Sequence, residues 1–435
     1  MIDIIGGGLA GVEAARILSR NGFCCRIIEM RPGKMTEAHK SGALAELVCS
    51  NSLKSDDPLC NSKGLLKKEM RLLGSLVLEA ADECAVPAGL SLNVDRERFS
   101  TLITERIAGD PNIEIVREEA LSIRTGRTSI IATGPLTSGA MAEYLRSVLR
   151  RDAVYFFDAV SIVLEAGSID KSRCFSGSRY GKGSGNILNM PLDRDEYGLF
   201  YNTLVNARTY PLKEFEKNFF EACLPIEVVA KRGFDALTFG TLRPVGFAEY
   251  SSVRPFAVVQ ARPESLLFDA YELIGFQTNL LQSEQARLLS TVPALKNAKF
   301  IRYGMMHRNI YIDSPELLNN DLSLKGNEKI YFAGQITGVE GYIESALCGI
   351  LCGLSLVQKL MGFKDILMPS SRTLSGALLN YITSPQKGFQ PMGANYSLLN
   401  GGRFARKIRK TRLHDEAIAE MISYIVKLRE RGLNI

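Results

Sequence analysis

The sequence predicts an α/β fold in which a Rossmann-like, dinucleotide-binding domain is built in two parts around a mixed α/β insertion. Three observations predict it: a strand, a glycine-rich turn and a helix open the chain, a segment of different character fills the middle third, and a buried strand and a helix follow late. The length of 435 residues suits two or three domains. We expect them at 1–153, 154–325 and 326–402, followed by a basic helical tail at 403–435.

A βαβ unit opens the chain, with its first strand, helix and second strand predicted at 2–5, 12–20 and 25–28. The turn fits the pattern G-x-G-x-x-G, with glycines at Gly6, Gly8 and Gly11. The first glycine permits the tight turn, the second lets a pyrophosphate approach the backbone, and the third lets helix and strand pack closely. Between them, Leu9 and Ala10 stand where a helix N-terminus offers unpaired N–H donors to phosphates.

An acidic residue completes this unit. Glu29 ends the second strand, 18 residues beyond Gly11, where a carboxylate accepts hydrogen bonds from ribose hydroxyls. A lone glycine pattern is weak evidence, but here strand, turn, helix, strand and acid occur in order. This order favours dinucleotide binding over a plain tight turn.

Further elements follow from periodicity and capping. Apolar residues at three- and four-residue spacing predict one helix over 64–85, and Asp95 is placed to cap a second that runs to Ile107. The other predicted elements are a strand at 129–132, a strand at 329–333 and a helix at 344–360. The nucleotide-binding sheet is therefore expected to resume late in the chain.

Two of these strands end in segments that resemble parts of two-part FAD-binding folds. Thr133 and Gly134 follow the first strand, and Gly334 and Gln335 follow the second. Both segments favour FAD over NAD as the bound dinucleotide, so the expected fold is an FAD-binding Rossmann-like fold of the two-part flavoprotein type. No second glycine pattern is present, so NADH or NADPH would have to reach the flavin without a Rossmann domain of its own.

Composition is that of a globular protein, with 46% hydrophobic and 23% charged residues. The nine cysteines are odd in number and lack paired spacing, which indicates reduced thiols and a cytoplasmic location. With three histidines and no C-x-x-C pair, no metal site is expected. No run of 18 apolar residues predicts a membrane span.

Several longer strings make a family recognisable. They are EMRP at 29–32, AELVCSNSL at 45–53, LKEFE at 212–216, CLPIEV at 223–228, RYGMMHRN at 302–309 and FAGQITGVEGY at 332–342. Together they resemble the folate- and FAD-dependent tRNA uracil-5-methyltransferases, which are related to the glucose-inhibited division protein A flavoproteins. The resemblance runs from about residue 2 to the basic tail.

The resemblance implies an activity: NADH or NADPH reduces FAD, 5,10-methylenetetrahydrofolate donates the one-carbon unit, and uridine 54 in the T loop of tRNA becomes 5-methyluridine. It implies no membrane and no obligatory protein partner. Three alternatives remain. The same chemistry could act on a ribosomal RNA uridine. A related flavoprotein family modifies wobble uridines with a partner protein, but the strings around Cys49 and Cys223 favour the methyltransferases. The chain could also be a flavin-containing RNA-binding protein without catalysis, which the presence of both cysteines disfavours.

The resemblance also assigns roles to single residues. Cys223 is the thiol that adds to carbon 6 of uracil, and Cys49 works close to the flavin in proton transfer or as a transient partner of the one-carbon unit. His307 and Tyr342 are expected beside folate. Without the resemblance, Cys223 would be read as a buried structural thiol, Cys49 as a loop thiol and His307 as a core histidine.

The tail concentrates positive charge. Between 403 and 435 there are nine Lys or Arg and four acidic residues, so this segment carries five of the six net positive charges. Arg406, Lys407, Arg409 and Lys410 are candidate contacts to an RNA phosphate backbone. A solvated helix face explains the same pattern equally well.

Overall fold

The computed structural model describes residues 1–59, 61–149, 154–182, 185–211, 224–247, 254–399 and 406–435, and at 154–159, 307–308 and 406–410 it describes the backbone alone. The first part contains β1 (Ile2–Ile5), α1 (Leu9–Arg20), β2 (Cys25–Ile28), β3 (Ser52–Ser55), α2 (Ser62–Leu72), α3 (Leu76–Glu83), β4 (Ala85–Ala88), β5 (Ser91–Val94), α4 (Arg96–Ala108), β6 (Ile113–Val116), β7 (Ser129–Ile131) and α5 (Gly139–Leu149). The middle part contains β8 (Val154–Val160), β9 (Val163–Glu165), β10 (Phe175–Ser176), β11 (Leu188–Leu192), α6 (Arg194–Val205), α7 (Ile226–Ala230), α8 (Ala236–Phe239), β12 (Ala257–Pro263), β13 (Ala270–Leu273), α9 (Gln282–Leu289), β14 (Phe300–Arg302) and β15 (Met305–Tyr311). The last part contains α10 (Ser314–Leu317), β16 (Ser323–Leu324), β17 (Asn327–Phe332), α11 (Tyr342–Leu360), α12 (Leu374–Thr383) and α13 (Arg406–Glu430).

A six-stranded sheet joins the first and last parts of the chain in the order β16-β17-β7-β1-β2-β6. Strands β17, β7, β1, β2 and β6 are parallel to one another, and β16 pairs antiparallel with β17 at the edge. All four residues of β1 and of β2 are buried, because helices cover both faces of a parallel sheet. The one charged residue of each strand is paired with the other, since Nε of Arg26 donates to Asp3 at 2.6 Å. The predicted two-part α/β fold is confirmed.

Helix α11 crosses α1 at very short range, and two glycines make this possible. A Cβ atom on Gly349 would lie 2.7 Å from the Cα atom of Ala10 and would also collide with its carbonyl oxygen. One turn further on, a Cβ on Gly353 would lie 2.9 Å from that of Ile17. The late helix therefore packs against the first helix of the chain with backbone almost on backbone.

The long helix predicted over 64–85 is wrong in one respect: the structure has two helices there, α2 and α3. The chain turns at Gly74, whose φ is +67°, and Ser75 then caps α3 by accepting a hydrogen bond from the amide of Leu78. Glycine in the left-handed region followed by a capping serine ends one helix and starts the next. The helix capped by Asp95 is confirmed as α4.

The middle part has a sheet and a core of its own. Its six strands form an antiparallel sheet in the order β10-β11-β12-β13-β9-β14, with α6, α7 and α9 packed nearby. The apolar side chains from Ile162 to Leu295 form a cluster separate from the one that surrounds the parallel sheet. Strands β8 and β15 pair antiparallel and lead into and out of this unit.

Beyond β15 the chain returns at once to the first core, because Ile312, Leu318 and Leu322 all belong to it. The tail helix α13 joins the same core through one face, where Leu413, Met421 and Leu428 are buried. The division of the chain at 325 and 403 stays a proposal. The described part of the tail is a packed amphipathic helix rather than a fully solvated one.

One helix of the described residues, Tyr342–Leu360, is long and apolar enough by composition to cross a membrane, and 89% of that stretch is buried inside the protein. Its burial follows from its packing against α1 and α2. Apolar length here reflects a central core helix.

The glycine crossing gives a test of this packing. Gly349→Ala should destabilise the protein by roughly 1–3 kcal/mol, because the new methyl group meets backbone that cannot move aside cheaply. Gly198→Ala is the matched control, since Gly198 also lies within a helix but has open space around its Cβ position. That variant should gain roughly 0.5–1 kcal/mol from helix propensity. Thermal unfolding of both variants and of the wild type is the measurement. A Gly349→Ala protein that is as stable as the wild type would contradict the close contact of the two helices.

Candidate functional site

The glycine turn between β1 and α1 is shaped as its spacing predicts. Gly6 has a φ of +109°, and a Cβ there would lie 2.9 Å from the Cα of Thr133 on the neighbouring strand. Gly11 packs against the carbonyl of Gly6, so a side chain there would separate helix from strand. Gly8 differs from both, because no atom lies within 4 Å of its Cβ position. Protein atoms therefore crowd Gly6 and Gly11, whereas the space beside Gly8 is open.

A cavity of about 1070 Å³, counted with its open mouth, lies on that open side. Most of the residues predicted to hold the cofactor line it: Gly6, Gly8, Leu9, Ala10, Glu29, Thr133, Gly134, Gly334 and Gln335. Helix α1 starts at this wall, so its first amides point toward the space where an anionic group is favoured. Gly11 lies behind the wall and serves packing instead.

Two further segments line the cavity: residues 133–137, which follow β7, and residues 334–335, which follow β17. The hydroxyl of Thr137 donates to the carbonyl of Gly134 at 2.9 Å and lies 2.7 Å from that of Thr133. On the other side, Gly334 has a φ of +83°, and a Cβ there would lie 2.7 Å from the Cβ of Ala10. Gly334 is therefore restricted by both its φ and its close neighbour, whereas Gly134 has open space and is restricted only by its φ of +65°.

Glu29 is buried and already has partners. Its carboxylate accepts hydrogen bonds from the amide of Gly7 at 2.9 Å and from the amide and Nε of Arg31 at 3.0 and 2.9 Å. Arg31 also donates to Glu46 at 3.2 Å. Burial alone would raise the pKa of Glu29, but the bonds and charge of Arg31 and the Gly7 amide hold it below its ordinary value. Nη2 of Arg31 also donates to the second Glu29 oxygen at 3.2 Å, so the carboxylate accepts four hydrogen bonds and a ribose hydroxyl would have to replace one of them.

Cys49 and Tyr342 meet at the cavity wall. The Tyr342 hydroxyl accepts hydrogen bonds from the amide of Cys49 at 2.6 Å and from that of Ser50 at 3.1 Å. Burial, and after it the Cys49 thiol, raises the pKa of Tyr342, so this hydroxyl stays neutral. The first residue of α11 thus holds the chain segment that carries Cys49, although the two are 293 positions apart.

The remaining predicted residues are less completely described. Cys223 lies outside the described residues, which resume at Leu224 just before α7. His307 is described only by its backbone, in β15 opposite Asp158. Since the amide of Ile310 donates to the carbonyl of Pro135 at 3.1 Å, this strand runs beside the cavity wall. Arg406, Lys407, Arg409 and Lys410 lie in the first turns of α13, where the structure describes the backbone alone.

Comparison with known proteins decides the family. A family model described as "Glucose inhibited division protein A" matches residues 1–364. The chain belongs to the glucose inhibited division protein A family. Within it, the chain is 49% identical over 401 residues to a Syntrophomonas wolfei protein named methylenetetrahydrofolate--tRNA-(uracil-5-)-methyltransferase TrmFO, with 92% of each chain covered. A Thermosipho africanus protein of the same name is 46% identical over 432 residues, covering 98% of this chain and all of that one.

A solved structure of the family shows the same fold. Aquifex aeolicus GidA matches with a TM-score of 0.69 at 16% identity, over 99% of this chain and 78% of that chain. At this identity the likeness extends to the fold alone. The fold of the glucose inhibited division protein A family thus spans the whole described chain, including its middle unit.

Sequence reasoning missed a group of charged residues behind Cys49. Arg96 donates to the carbonyl of Leu47 at 3.0 Å and to Glu264 at 2.8 Å, and Arg302 lies 3.4 Å from the same Glu264 oxygen. Each of these side chains is largely buried. They come from α4, from the end of β12 and from β14, so no local pattern announces the cluster. His39 also lines the cavity, at 2.6 Å from Thr36.

Within the described ranges, no group of three or more His, Cys, Asp or Glu side chains is arranged to hold a metal ion. The polar groups at the cavity instead suit a dinucleotide: a helix N-terminus for phosphate and a carboxylate near a ribose position. Which residues contact a bound cofactor stays a prediction.

The buried Glu29 pair gives a pH-dependent test. Because the pKa of Glu29 is lowered on folding, its stabilisation is present above about pH 4.5 and is lost as the pH falls through the lowered value. Glu29→Gln should destabilise the protein by roughly 3 kcal/mol at pH 7, since Arg31 keeps only Glu46 as a charged partner.

The difference between wild type and Glu29→Gln should shrink as the pH is lowered below 4.5. Thermal unfolding from pH 3 to pH 8 measures it. Glu328→Gln is the control, because Glu328 is 73% exposed and pairs with Lys359 at the surface. A Glu29→Gln deficit that stays constant across this range would contradict the role given to the charge.

Proposed function

We propose that this chain is an FAD- and NAD(P)H-dependent enzyme that uses 5,10-methylenetetrahydrofolate to methylate carbon 5 of uridine 54 in the T loop of tRNA. The relatives that share 44–50% of its residues are named as methylenetetrahydrofolate- and tRNA-dependent uracil-5-methyltransferases. The observation that carries the proposal is the meeting of Cys49 with the glycine turn at one cavity. A reactive thiol beside a dinucleotide site is what this chemistry requires.

The cavity fits FAD by its shape and its donors. Gly8 leaves open space at the wall, the first amides of α1 face the pyrophosphate position, and Glu29 stands at the end of β2 for the adenosine ribose. Thr133, Gly134, Gly334 and Gln335 would enclose the rest of the cofactor. Bound FAD supplies the electrons that reduce the one-carbon unit to a methyl group. Reducing equivalents come from NADH or NADPH, which must approach from the open mouth.

Cys223 is proposed as the nucleophile toward RNA. Its thiolate adds to carbon 6 of the flipped-out uracil, and this makes carbon 5 nucleophilic enough to capture the methylene group. Loss of the carbon-5 proton and elimination of the thiolate then restore the aromatic ring. Just past Cys223, Glu227 of α7 anchors the chain by accepting from the Asn279 amide at 2.7 Å and from Thr278 at 2.8 Å.

Cys49 is proposed to act beside the flavin, as a proton-transfer group or as a transient partner of the one-carbon unit. Its place at the cavity wall supports this, and Tyr342 holds its amide there. His307 and Tyr342 are proposed to contact folate. For Tyr342 the hydroxyl is engaged by two amides, so its ring rather than its hydroxyl would face the ligand.

The first of three predictions from the proposed function concerns cofactor content. Gly8→Trp should give folded, colourless protein, because the indole enters the space that the pyrophosphate needs while the backbone of Gly8 has a φ of −79°, which any residue adopts. Absorbance of the flavin near its visible band, per mole of protein, is the measurement. Gly139→Trp, at another open helical start, controls for the added ring. A Gly8→Trp protein with full flavin content would remove the basis for placing FAD here.

The second prediction separates the cysteines. RNA with 5-fluorouridine at the target should become covalently attached to Cys223, because fluorine cannot leave carbon 5 as a proton does. Cys223→Ala should lose both the adduct and methylation while keeping flavin, whereas Cys49→Ala should lose turnover and still form the adduct. Cys174→Ala is the control, since burial raises the pKa of that thiol to about 11. Peptide mapping by mass spectrometry locates the bond, and attachment to another cysteine sinks the assignment.

The third prediction concerns the tail. We propose that Arg406, Lys407, Arg409 and Lys410 contact RNA phosphates at the start of α13. Changing all four to Ala should weaken tRNA binding and lower the slope of log affinity against log salt by roughly 0.7 to 0.9 for each phosphate that is no longer neutralised. Flavin content should not change, because the four changed residues lie outside the segments that line the cavity. An unchanged slope would mean that these four side chains do not neutralise RNA phosphates and form only a solvated helix face.

A further inference from the structure

Two guanidinium groups that share one carboxylate hold the segment that carries Cys49. Arg96 bonds this segment directly, and Arg302 bonds Ser161, which in turn bonds Cys49. On the N-terminal side, Arg96 donates to the carbonyl of Leu47 at 3.0 Å and to Glu264 at 2.8 Å. On the other side, the carbonyl of Cys49 accepts from the amide of Ser161 at 3.2 Å, and Arg302 donates to the carbonyl of Ser161 at 3.0 Å. Arg302 then lies 3.4 Å from Glu264, which closes the loop of contacts.

This loop joins the two units of the protein. Arg96 starts α4 of the nucleotide-binding unit, whereas Glu264 and Arg302 belong to the middle unit. Their side chains are 10–14% exposed, so water competes little with their interactions. The bonds thus tie the position of Cys49 to the contact between the units.

We infer that Arg96 and Arg302, joined through Glu264, are positioning residues that hold Cys49 at the cavity wall and keep its thiol in the reactive thiolate form. The inference rests on the proposed role of Cys49 only for its effect on turnover. The reactivity of the thiol itself is measurable without RNA or folate.

The charges around Cys49 favour an anion there. Three guanidinium groups face two carboxylates, from α4 (Arg96), β12 (Arg262), β13 (Glu272), β14 (Arg302) and the residue after β12 (Glu264), and the neutral Tyr342 hydroxyl faces them from α11. Lys40, in the chain segment before Cys49, adds a further positive charge. Glu46 adds a negative charge, and its carboxylate is bonded to Arg31 and to the amide of Lys40. The three guanidinium groups exceed the two carboxylates by one positive charge, and two of them, Arg96 and Arg262, interact electrostatically with Cys49.

The pKa shifts of the surrounding groups differ in direction. Against the lowering effect of burial, the charges of Glu264 and Glu272 raise the pKa of Arg96, and that of Glu272 raises the pKa of Arg262. Burial, and then the charge of Arg96, lowers the pKa of Arg302. Burial lowers the pKa of Lys40 too, and Arg302 and Arg96 add to the effect. The Cys49 thiol is among the charges that raise the pKa of Arg96 and of Arg262, so a thiolate there stabilises both cations. Nearby cations are the environment in which reactive cysteines are found.

The test is the rate at which iodoacetamide alkylates Cys49 in the flavin-containing protein between pH 5 and pH 10, read from the Cys49 peptide by mass spectrometry. Arg96→Gln should raise the midpoint of the rate profile by about one pH unit and slow alkylation below the midpoint about tenfold. Arg96→Lys should keep the midpoint closer to that of wild type, because the charge remains. Arg71→Gln is the control, since Arg71 pairs with Asp56 and Asp82 and not with this cluster.

A folded Arg96→Gln protein with an unchanged midpoint would overturn the inference. If Arg96→Gln does not fold, Arg302→Gln makes the same test from the other side of Glu264 and should shift the midpoint in the same direction. Failure of the wild-type protein to methylate RNA would count against the proposed function and leave this alkylation result intact. With active protein, Arg96→Gln should lower kcat and move its pH profile upward while the KM for RNA is unchanged.

Discussion

The crossing of α11 over α1 is the contact on which the rest of the structure depends. It is possible because Gly349 and Gly353 bring two helix backbones together at Ala10 and Ile17, more than 330 residues apart in the chain. This approach sets Gly334 against Ala10 and the start of α11 against Cys49. The cavity therefore has one wall from the first fifty residues and another from a segment that the chain reaches only after the whole middle unit.

The second constraint is the junction between the two units. Cys49 belongs to the first unit, yet its carbonyl is held by Ser161 and its neighbourhood is charged by Glu264 and Arg302 of the second. A thiol at this junction lies at the wall of the proposed cofactor cavity and also next to the middle unit, which is expected to carry Cys223. This arrangement explains how one insertion in the middle of a nucleotide-binding fold can serve the chemistry of the cavity.

Sequence reasoning succeeded where the determining interactions are local. The turn from Gly6 to Gly11 and the Asp95 cap depend on residues within one supersecondary unit, and both have the predicted backbone geometry. Glu29 follows β2 as predicted, whereas its bonds to Arg31 were not foreseen. The break at Gly74 was missed because an apolar repeat continues through it. The Arg96–Glu264 contact joins residues 168 positions apart, so no spacing could reveal it. The burial of Leu413 and Met421 likewise depends on a surface that the tail meets only after folding.

We propose that this cavity serves methyl transfer to one tRNA uridine. Mass analysis of nucleosides from unmodified tRNA and from ribosomal RNA, after incubation with the protein, methylenetetrahydrofolate and NADH, measures this most directly. We expect 5-methyluridine in tRNA at position 54, dependent on the folate donor and absent without the protein. Methylation confined to ribosomal RNA, or flavin-containing protein that modifies neither RNA with either NADH or NADPH, would contradict it.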